Sequence, residues 1–157
     1  MTRAEPIQQR EIDEILLRFR GVEGATLPVL HAIQGAVGFI PESAVPAIAA
    51  FLNRTRAEIH GVISFYHDFR YEPAGRHVVK LCRAEACQAM GGERLADIVK
   101  RDLALEFDET SGDGAVSLES VYCLGLCACA PAAMVDGRLV GRLDEEGAGA
   151  LVREVRS

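Results

Sequence analysis

The sequence predicts an α+β protein, a small helical bundle over residues 1–71 followed by a small layered α/β unit over residues 72–157. Three observations lead there. The first half repeats apolar residues at helical spacing, broken by glycine and by capping signals. Beyond Tyr71-Glu-Pro-Ala-Gly-Arg76 the texture changes to short β-type runs around one longer helical stretch. All five cysteines lie in that second half, in two tight groups.

In the first half, Ile12, Ile15, Leu16 and Phe19 fall at i, i+3, i+4 and i+7, one apolar stripe of a first helix. A break at Gly21 and Gly24 follows. Thr26 is expected to cap a second helix with Pro28 in its first turn, Leu30, Ile33 and Val37 on its apolar side, and Gly38 at its end. Ser43 is expected to cap a third, where Pro46 is tolerated because first-turn N–H groups have no intrahelical partner. Thr55-Arg-Ala-Glu58 is a capping box opening a fourth, with Ile59, Val62 and Ile63 inward and the aromatic run Phe65, Tyr66 and Phe69 closing the segment. Four short helices with brief connections make a small bundle.

In the second half, Val78, Val79 and Leu81 predict a buried strand ending at Cys82. Residues from about Cys87 to Leu103 read as one helix, with Leu95, Ile98, Val99 and Leu103 inward. Val116, Leu118 and Val121 give a strand running into Cys123. Val135-Asp-Gly-Arg138 is a hairpin turn, since Asp-Gly supplies the positive φ angles that a type I′ turn needs. Asp144 is expected to cap a last helix containing Leu151, Val152 and Val155. The predicted order is β-α-β-β-β-α, with both cysteine groups just after strand ends.

Composition narrows the function classes. A formal charge of −6 with no basic patch or tail argues against nucleic acid as a partner. No apolar stretch approaches the ~18–20 residues that span a bilayer, so no direct membrane insertion is expected. The opening MTRAEPIQQREIDE has no hydrophobic segment of the export type. A cytoplasmic location is therefore expected, where cysteines serve metal binding or redox chemistry more often than structural disulfides. Gly91-Gly92 is not a dinucleotide fingerprint, and the redox Cys-x-x-Cys motif is missing. His31, His60, His67 and His77 lie on separate elements and read as polar positions rather than ligands. Glu85 has no second carboxylate or nucleophile beside it.

The cysteines carry the chemistry. Cys82 and Cys87 form one group; Cys123, Cys127 and Cys129 form the other, in the run Cys123-Leu-Gly-Leu-Cys127-Ala-Cys129-Ala-Pro131. Two thiolate pairs on separate loops suit a [2Fe–2S] cluster, two sulfurs to each iron. They also suit structural zinc, which would make the chain a zinc-stabilised binding module.

Taken with the helical preface, these groups resemble the thioredoxin-like [2Fe–2S] subunit of bacterial NADH:quinone oxidoreductase (its E subunit), NAD-linked hydrogenases and soluble NAD-dependent formate dehydrogenases. The likeness runs from about Ile12 to Val155. It rests on Leu30-His-Ala-Ile-Gln34, Gly38-Phe-Ile-Pro41, Glu58-Ile-His-Gly-Val62 before Phe65-Tyr66, the Cys82/Cys87 pair, and Cys123-Leu-Gly-Leu-Cys127 before Pro131. Leu81-Cys-Arg-Ala-Glu-Ala-Cys87-Gln and His67-Asp-Phe-Arg70 look most like the gamma subunit of the molybdenum-containing formate dehydrogenases.

The resemblance implies a thioredoxin-like α/β ferredoxin domain with one [2Fe–2S] cluster on Cys82, Cys87, Cys123 and Cys127. It implies no catalytic residue on this chain, which would relay electrons. The expected partners are a flavin- and NAD-binding iron–sulfur subunit and a large molybdenum and iron–sulfur catalytic subunit, with FMN, NAD and the molybdenum cofactor only on them. Cys129 departs from the pattern and reads as a small buried filler. Gly125 lets the second loop turn closely around inorganic sulfide. Arg83, next to the first ligand, has two readings: a charge that stabilises the reduced cluster, or a solvated surface charge.

Overall fold

A computed structural model describes residues 5–157, and the side chains from Gln9 onward. Residues 1–4, part of the segment read for an export signal, lie outside the described residues. The chain divides into two compact units, one ending at Pro73 and one running from Ala74 to Ser157.

The first unit holds α1 (Glu5–Arg18), α2 (Thr26–Val37), α3 (Val45–Phe51) and α4 (Arg56–Phe65). The apolar stripes meet in one core: Ile12 and Ile15 from α1, Leu30 and Ile33 from α2, Ile48 from α3, and Ile59 and Ile63 from α4 are all buried. Burying each such side chain stabilises the fold by roughly 1.5–3 kcal/mol. The Thr55 hydroxyl accepts from the Glu58 N–H, and the Glu58 carboxylate accepts in return from the Thr55 N–H, closing the capping box at the start of α4. Gly38 ends α2 in the left-handed conformation, φ 89°, with its N–H on the Gln34 carbonyl. The Gln34 side chain then fastens the end of the unit, donating to Asp68 O at 2.6 Å and accepting from the Arg70 N–H at 2.9 Å.

Two expected caps are corrected. Thr26 lies inside α2; the cap position is Ala25, buried and without a side-chain hydrogen bond. Its backbone carbonyl accepts the Val29 N–H, and a small apolar side chain suits the core where a hydroxyl would not. Ser43 lies in a 3-10 turn, Glu42–Ala44, that feeds α3 directly. The Pro41 and Glu42 carbonyls already accept the Ala44 and Val45 N–H groups, so no hydroxyl cap is needed there.

The second unit is a five-stranded mixed sheet in the order β2-β3-β1-β4-β5. Its strands are β1 (His77–Cys82), β2 (Glu109–Thr110), β3 (Val116–Val121), β4 (Ala132–Val135) and β5 (Arg138–Gly141). Strand β1 runs parallel to β3 and antiparallel to β4. Three helices complete the unit: α5 (Glu85–Ala89), α6 (Gly92–Leu103) and α7 (Glu145–Arg156). Val79, Leu81, Val116, Leu118, Ala133 and Val135 alternate onto one sheet face and pack on Leu95, Val99 and Leu103 of α6 and Leu151, Val152 and Val155 of α7. Side chains at the intervening positions include Lys80 and Glu119, paired directly across β1 and β3 with an ion pair of 3.1 Å. Asp136 (φ 49°) and Gly137 (φ 83°) make the hairpin turn, and the Asp144 carboxylate accepts the Gly147 N–H at the start of α7.

Two further corrections concern this unit. The single helix expected from Cys87 to Leu103 is two, because Gly91 adopts φ 87° and turns the chain between α5 and α6. Strand β2 adds an element to the predicted order: it is two residues long and exposed, so it leaves no alternating pattern. Among the described residues, no helix is long and apolar enough to cross a membrane.

Candidate metal centre

The topology explains why cysteines far apart in sequence meet. Parallel neighbours β1 and β3 end at the same edge of the sheet, with Cys82 opposite Val121 in the register. The chain leaves β1 through Cys82 into the loop that carries Cys87 on α5, and leaves β3 into the loop that carries Cys123 and Cys127. It then re-enters as β4 on the other side of β1, Leu81 opposite Ala133. Both loops are therefore delivered to one end of β1.

There the thiols stand as two pairs. Cys123 Sγ and Cys127 Sγ are 3.8 Å apart. A tetrahedral metal with bonds of ~2.3 Å to sulfur sets two of its thiolates about 3.8 Å apart, so this pair suits one metal atom. Cys82 and Cys87 share a hydrogen bond; the charge of Cys127 acts on Cys87, and that of Cys82 acts on Cys127. Among the described residues, no three His, Cys, Asp or Glu side chains are gathered around one ion. The grouping is two by two, which is what a binuclear centre asks for.

The two pairs differ in surroundings. Cys82 and Cys87 are buried, at 7% and 2% exposure, among Ala84, Val121, Leu124, Leu126 and Ala132. Cys123 and Cys127 are exposed. Burial pushes the Cys82 thiol up, but the Ala84, Leu124 and Cys123 N–H groups and the Cys87 thiol outweigh it and hold Cys82 below the usual thiol value. Cys87 moves the other way: burial, the shared hydrogen bond and the Cys82 charge all raise it, against one N–H from Ala132. Cys127 is raised by its hydrogen bond with Cys123 and by the charge there. Thiols this close resist ionising together, and a bound cation is what offsets their repulsion. Backbone donors aim at the sulfurs as well; the Gly125 N–H lies 3.3 Å from Cys123 Sγ. Gly125 takes φ 76° and Cys123 takes φ 125°, so the loop is bent sharply at both positions. These residues fit a sulfur-ligated binuclear group.

The remaining candidates fall elsewhere. Cys129 is half-buried, in the 3-10 turn Cys127–Cys129, and its carbonyl accepts the Arg142 N–H at 2.6 Å. The Arg83 guanidinium is paired with Glu93, in a partly exposed ion pair. His77 bonds Asp136 at 2.7 Å, and His60 bonds Tyr71 at 2.6 Å. Gly125 stands out in the sequence by its place between two cysteines. Glu93 and Phe107 do not, because no local pattern links them to a cysteine.

A mixed sheet that brings two cysteine pairs to one edge defines a class of small sulfur-ligating electron carriers. Within it, the chain belongs to the thioredoxin-like [2Fe–2S] ferredoxin family, whose pattern matches residues 12–156. It is 35% identical over 149 residues to the E subunit of the NADH-quinone oxidoreductase of Mycobacterium tuberculosis, covering 94% of this chain and 59% of that one. The chain thus spans about three-fifths of that relative's length. It is 28% identical over 134 residues to the HndA subunit of the NADP-reducing hydrogenase of Solidesulfovibrio fructosivorans, covering 85% and 78%. Among solved structures, the NAD+-reducing [NiFe]-hydrogenase in its H2-reduced state superposes with a TM-score of 0.71 at 24% identity, over 84% of this chain and 22% of that one. That likeness shows the thioredoxin-like fold.

Proposed function

We infer that this chain is an electron-transfer subunit of an NAD-linked, multisubunit oxidoreductase, holding one [2Fe–2S] cluster on Cys82, Cys87, Cys123 and Cys127. The observation that carries the reading is the pair of cysteine pairs at the end of β1, within a chain that the family pattern spans almost whole. Such a cluster takes and gives one electron at a time. The chain's own part is to hold four sulfurs, shield Cys82 and Cys87 from water, and present N–H groups to the sulfur atoms. Family membership favours iron–sulfur over the zinc-stabilised module.

The finer reading is a soluble, cytoplasmic NAD-dependent formate dehydrogenase containing molybdenum. Its support is the wording Leu81-Cys-Arg-Ala-Glu-Ala-Cys87-Gln and His67-Asp-Phe-Arg70. The neighbours would then be a flavin- and NAD-binding iron–sulfur subunit carrying FMN and a large molybdenum and iron–sulfur catalytic subunit. The named relatives support a second reading, the equivalent subunit of an NADH:quinone oxidoreductase or an NAD-linked hydrogenase.

Anaerobically purified protein is expected to contain about two irons and two acid-labile sulfides per chain, with a single spin-half signal on reduction. Full zinc occupancy without labile sulfide would sink the cluster reading. Mass spectrometry of the co-purifying subunits, with NAD reduction assayed against formate and against hydrogen and NADH oxidation against quinone, separates the two complexes.

A further inference from the structure

Arg83 sits between the two cysteines of the first loop, yet its charge is spent elsewhere. Its Nη2 lies 3.0 Å from both carboxylate oxygens of Glu93, and its Nε lies 3.2 Å from one of them. The guanidinium carbon is 4.9 Å from the centre of the Phe107 ring. The backbone of the same residue is also held: its N–H donates to Val121 O at 2.7 Å, and its carbonyl accepts Gln88 Nε2 at 2.8 Å. One residue is thus tied to β3, to α5, to the first turn of α6, and to the segment after α6. The next residue is Ala84, whose N–H faces the Cys82 sulfur and whose carbonyl accepts the Gln88 N–H in α5.

As an ion pair this contact contributes little. The side chains of Arg83 and Glu93 are 31% and 50% exposed, and water screens such pairs so that they add little to stability. Its geometry matters more. A planar fork gripped by a carboxylate and laid over a ring fixes a side chain that would otherwise sample many rotamers, and lysine cannot reproduce it. With Glu93 alongside, the local net charge is close to zero, so Arg83 is poorly placed to act as a bare cation.

Resting on the [2Fe–2S] reading, we propose that Arg83, clamped by Glu93 and Phe107, is a positioning residue that holds the loop 82–87 so that the Ala84 N–H stays on the Cys82 sulfur. It sets the reduction potential through that hydrogen bond and not through its own charge. Hydrogen bonds to cluster sulfurs favour the more negative, reduced form, so losing one lowers the potential.

Arg83→Gln, Glu93→Gln and Arg83→Lys in the full chain separate the two mechanisms. A charge effect predicts a lower potential for Arg83→Gln, a higher one for Glu93→Gln, and no change for Arg83→Lys. The clamp predicts a lower potential for all three, the same change in spin signal, and iron released to a chelator several-fold faster than from wild type. The double variant Arg83→Gln/Glu93→Gln is then no worse than Arg83→Gln alone, because loss of the guanidinium already removes the contact with Glu93. Shifts of opposite sign, or an Arg83→Lys protein indistinguishable from wild type, would overturn the clamp. Amide hydrogen exchange over residues 83–88 in iron-free chain gives a reading that needs no cluster: faster exchange confined there supports the clamp, and unchanged exchange overturns it. Wild type without iron and labile sulfide would overturn the cluster reading itself, a result distinct from a cluster-bearing wild type with unaffected variants.

Discussion

Serine in place of Cys82, Cys87, Cys123 or Cys127 is expected to abolish or strongly alter the visible absorption and spin signal, because a hard alkoxide replaces a soft thiolate on iron. Cys129→Ser is expected to keep the cluster. Loss of the cluster in Cys129→Ser with retention in Cys127→Ser would reverse that assignment. A second residue-scale expectation concerns Asp136, which accepts the Val78 N–H and meets His77, each at 2.7 Å. Burial raises its carboxyl, but the His77 and Val78 hydrogen bonds outweigh this and hold it below the ordinary 3.8. A carboxyl depressed in the folded state stabilises that state above its unfolded value, and the benefit is lost as pH falls through the folded one. Asp136→Asn keeps an acceptor for Val78 but loses the charge. With the side chain 44% exposed and screened by water, the cost at neutral pH should be under ~1 kcal/mol. Urea unfolding should show that deficit at neutral pH and show it shrinking as the pH drops below 3.8.

At the scale of elements, the joint between α5 and α6 governs Cys87. A methyl group on Gly92 would lie 2.6 Å from the Cys87 carbonyl oxygen and 3.0 Å from its carbonyl carbon, backbone atoms that cannot swing aside. Helix propensity alone would favour alanine there by at most ~1 kcal/mol. Overpacking costs roughly 1–3 kcal/mol, so Gly92→Ala is expected to lower the melting temperature and to disturb the cluster spectrum by moving Cys87. A variant as stable as wild type, with an unchanged spectrum, would show that α5 yields freely. The contrast with Gly112 is useful, since a Cβ there meets nothing within 4 Å and Gly112→Ala should leave the spectrum unchanged.

At the scale of the whole molecule, each unit has its own buried core, and the cysteines belong to the second. The preface holds seven of the nine aromatic residues, including Phe65, which is 75% exposed beside an apolar groove of about 550 Å³ lined by Leu27, Ile59 and Val62. Exposed aromatic residues of this kind anchor interfaces. Residues 72–157 alone are therefore expected to assemble the cluster, with residues 1–71 needed for docking to the flavin- and NAD-binding subunit. Truncation should leave iron per chain nearly intact while reducing co-purification of that partner and NAD-linked electron transfer. Full complex formation without the preface would refute the docking role, and failure to hold iron would make the preface part of the cluster unit's stability.

What the sequence determined by itself is whatever is settled within a few residues of chain. The Thr55–Glu58 box, the Gly38 stop, the Asp136-Gly137 turn and the Asp144 cap are closed by neighbours three or four positions away, and all four form where the sequence puts them. Cysteine spacing likewise announced two sulfur pairs. Local signals failed at Ala25, where an apolar side chain in the core displaced the Thr26 cap, and at Gly91, where a positive φ separates the short α5 carrying Cys87 from the apolar stripe of α6. Only the tertiary structure decided that β1 lies between β3 and β4, that two loops therefore converge on Cys82, and that Arg83 turns away to Glu93 and Phe107. Strand order and register are chosen by the burial of a whole sheet face at once, a collective free energy that no run of neighbouring residues contains.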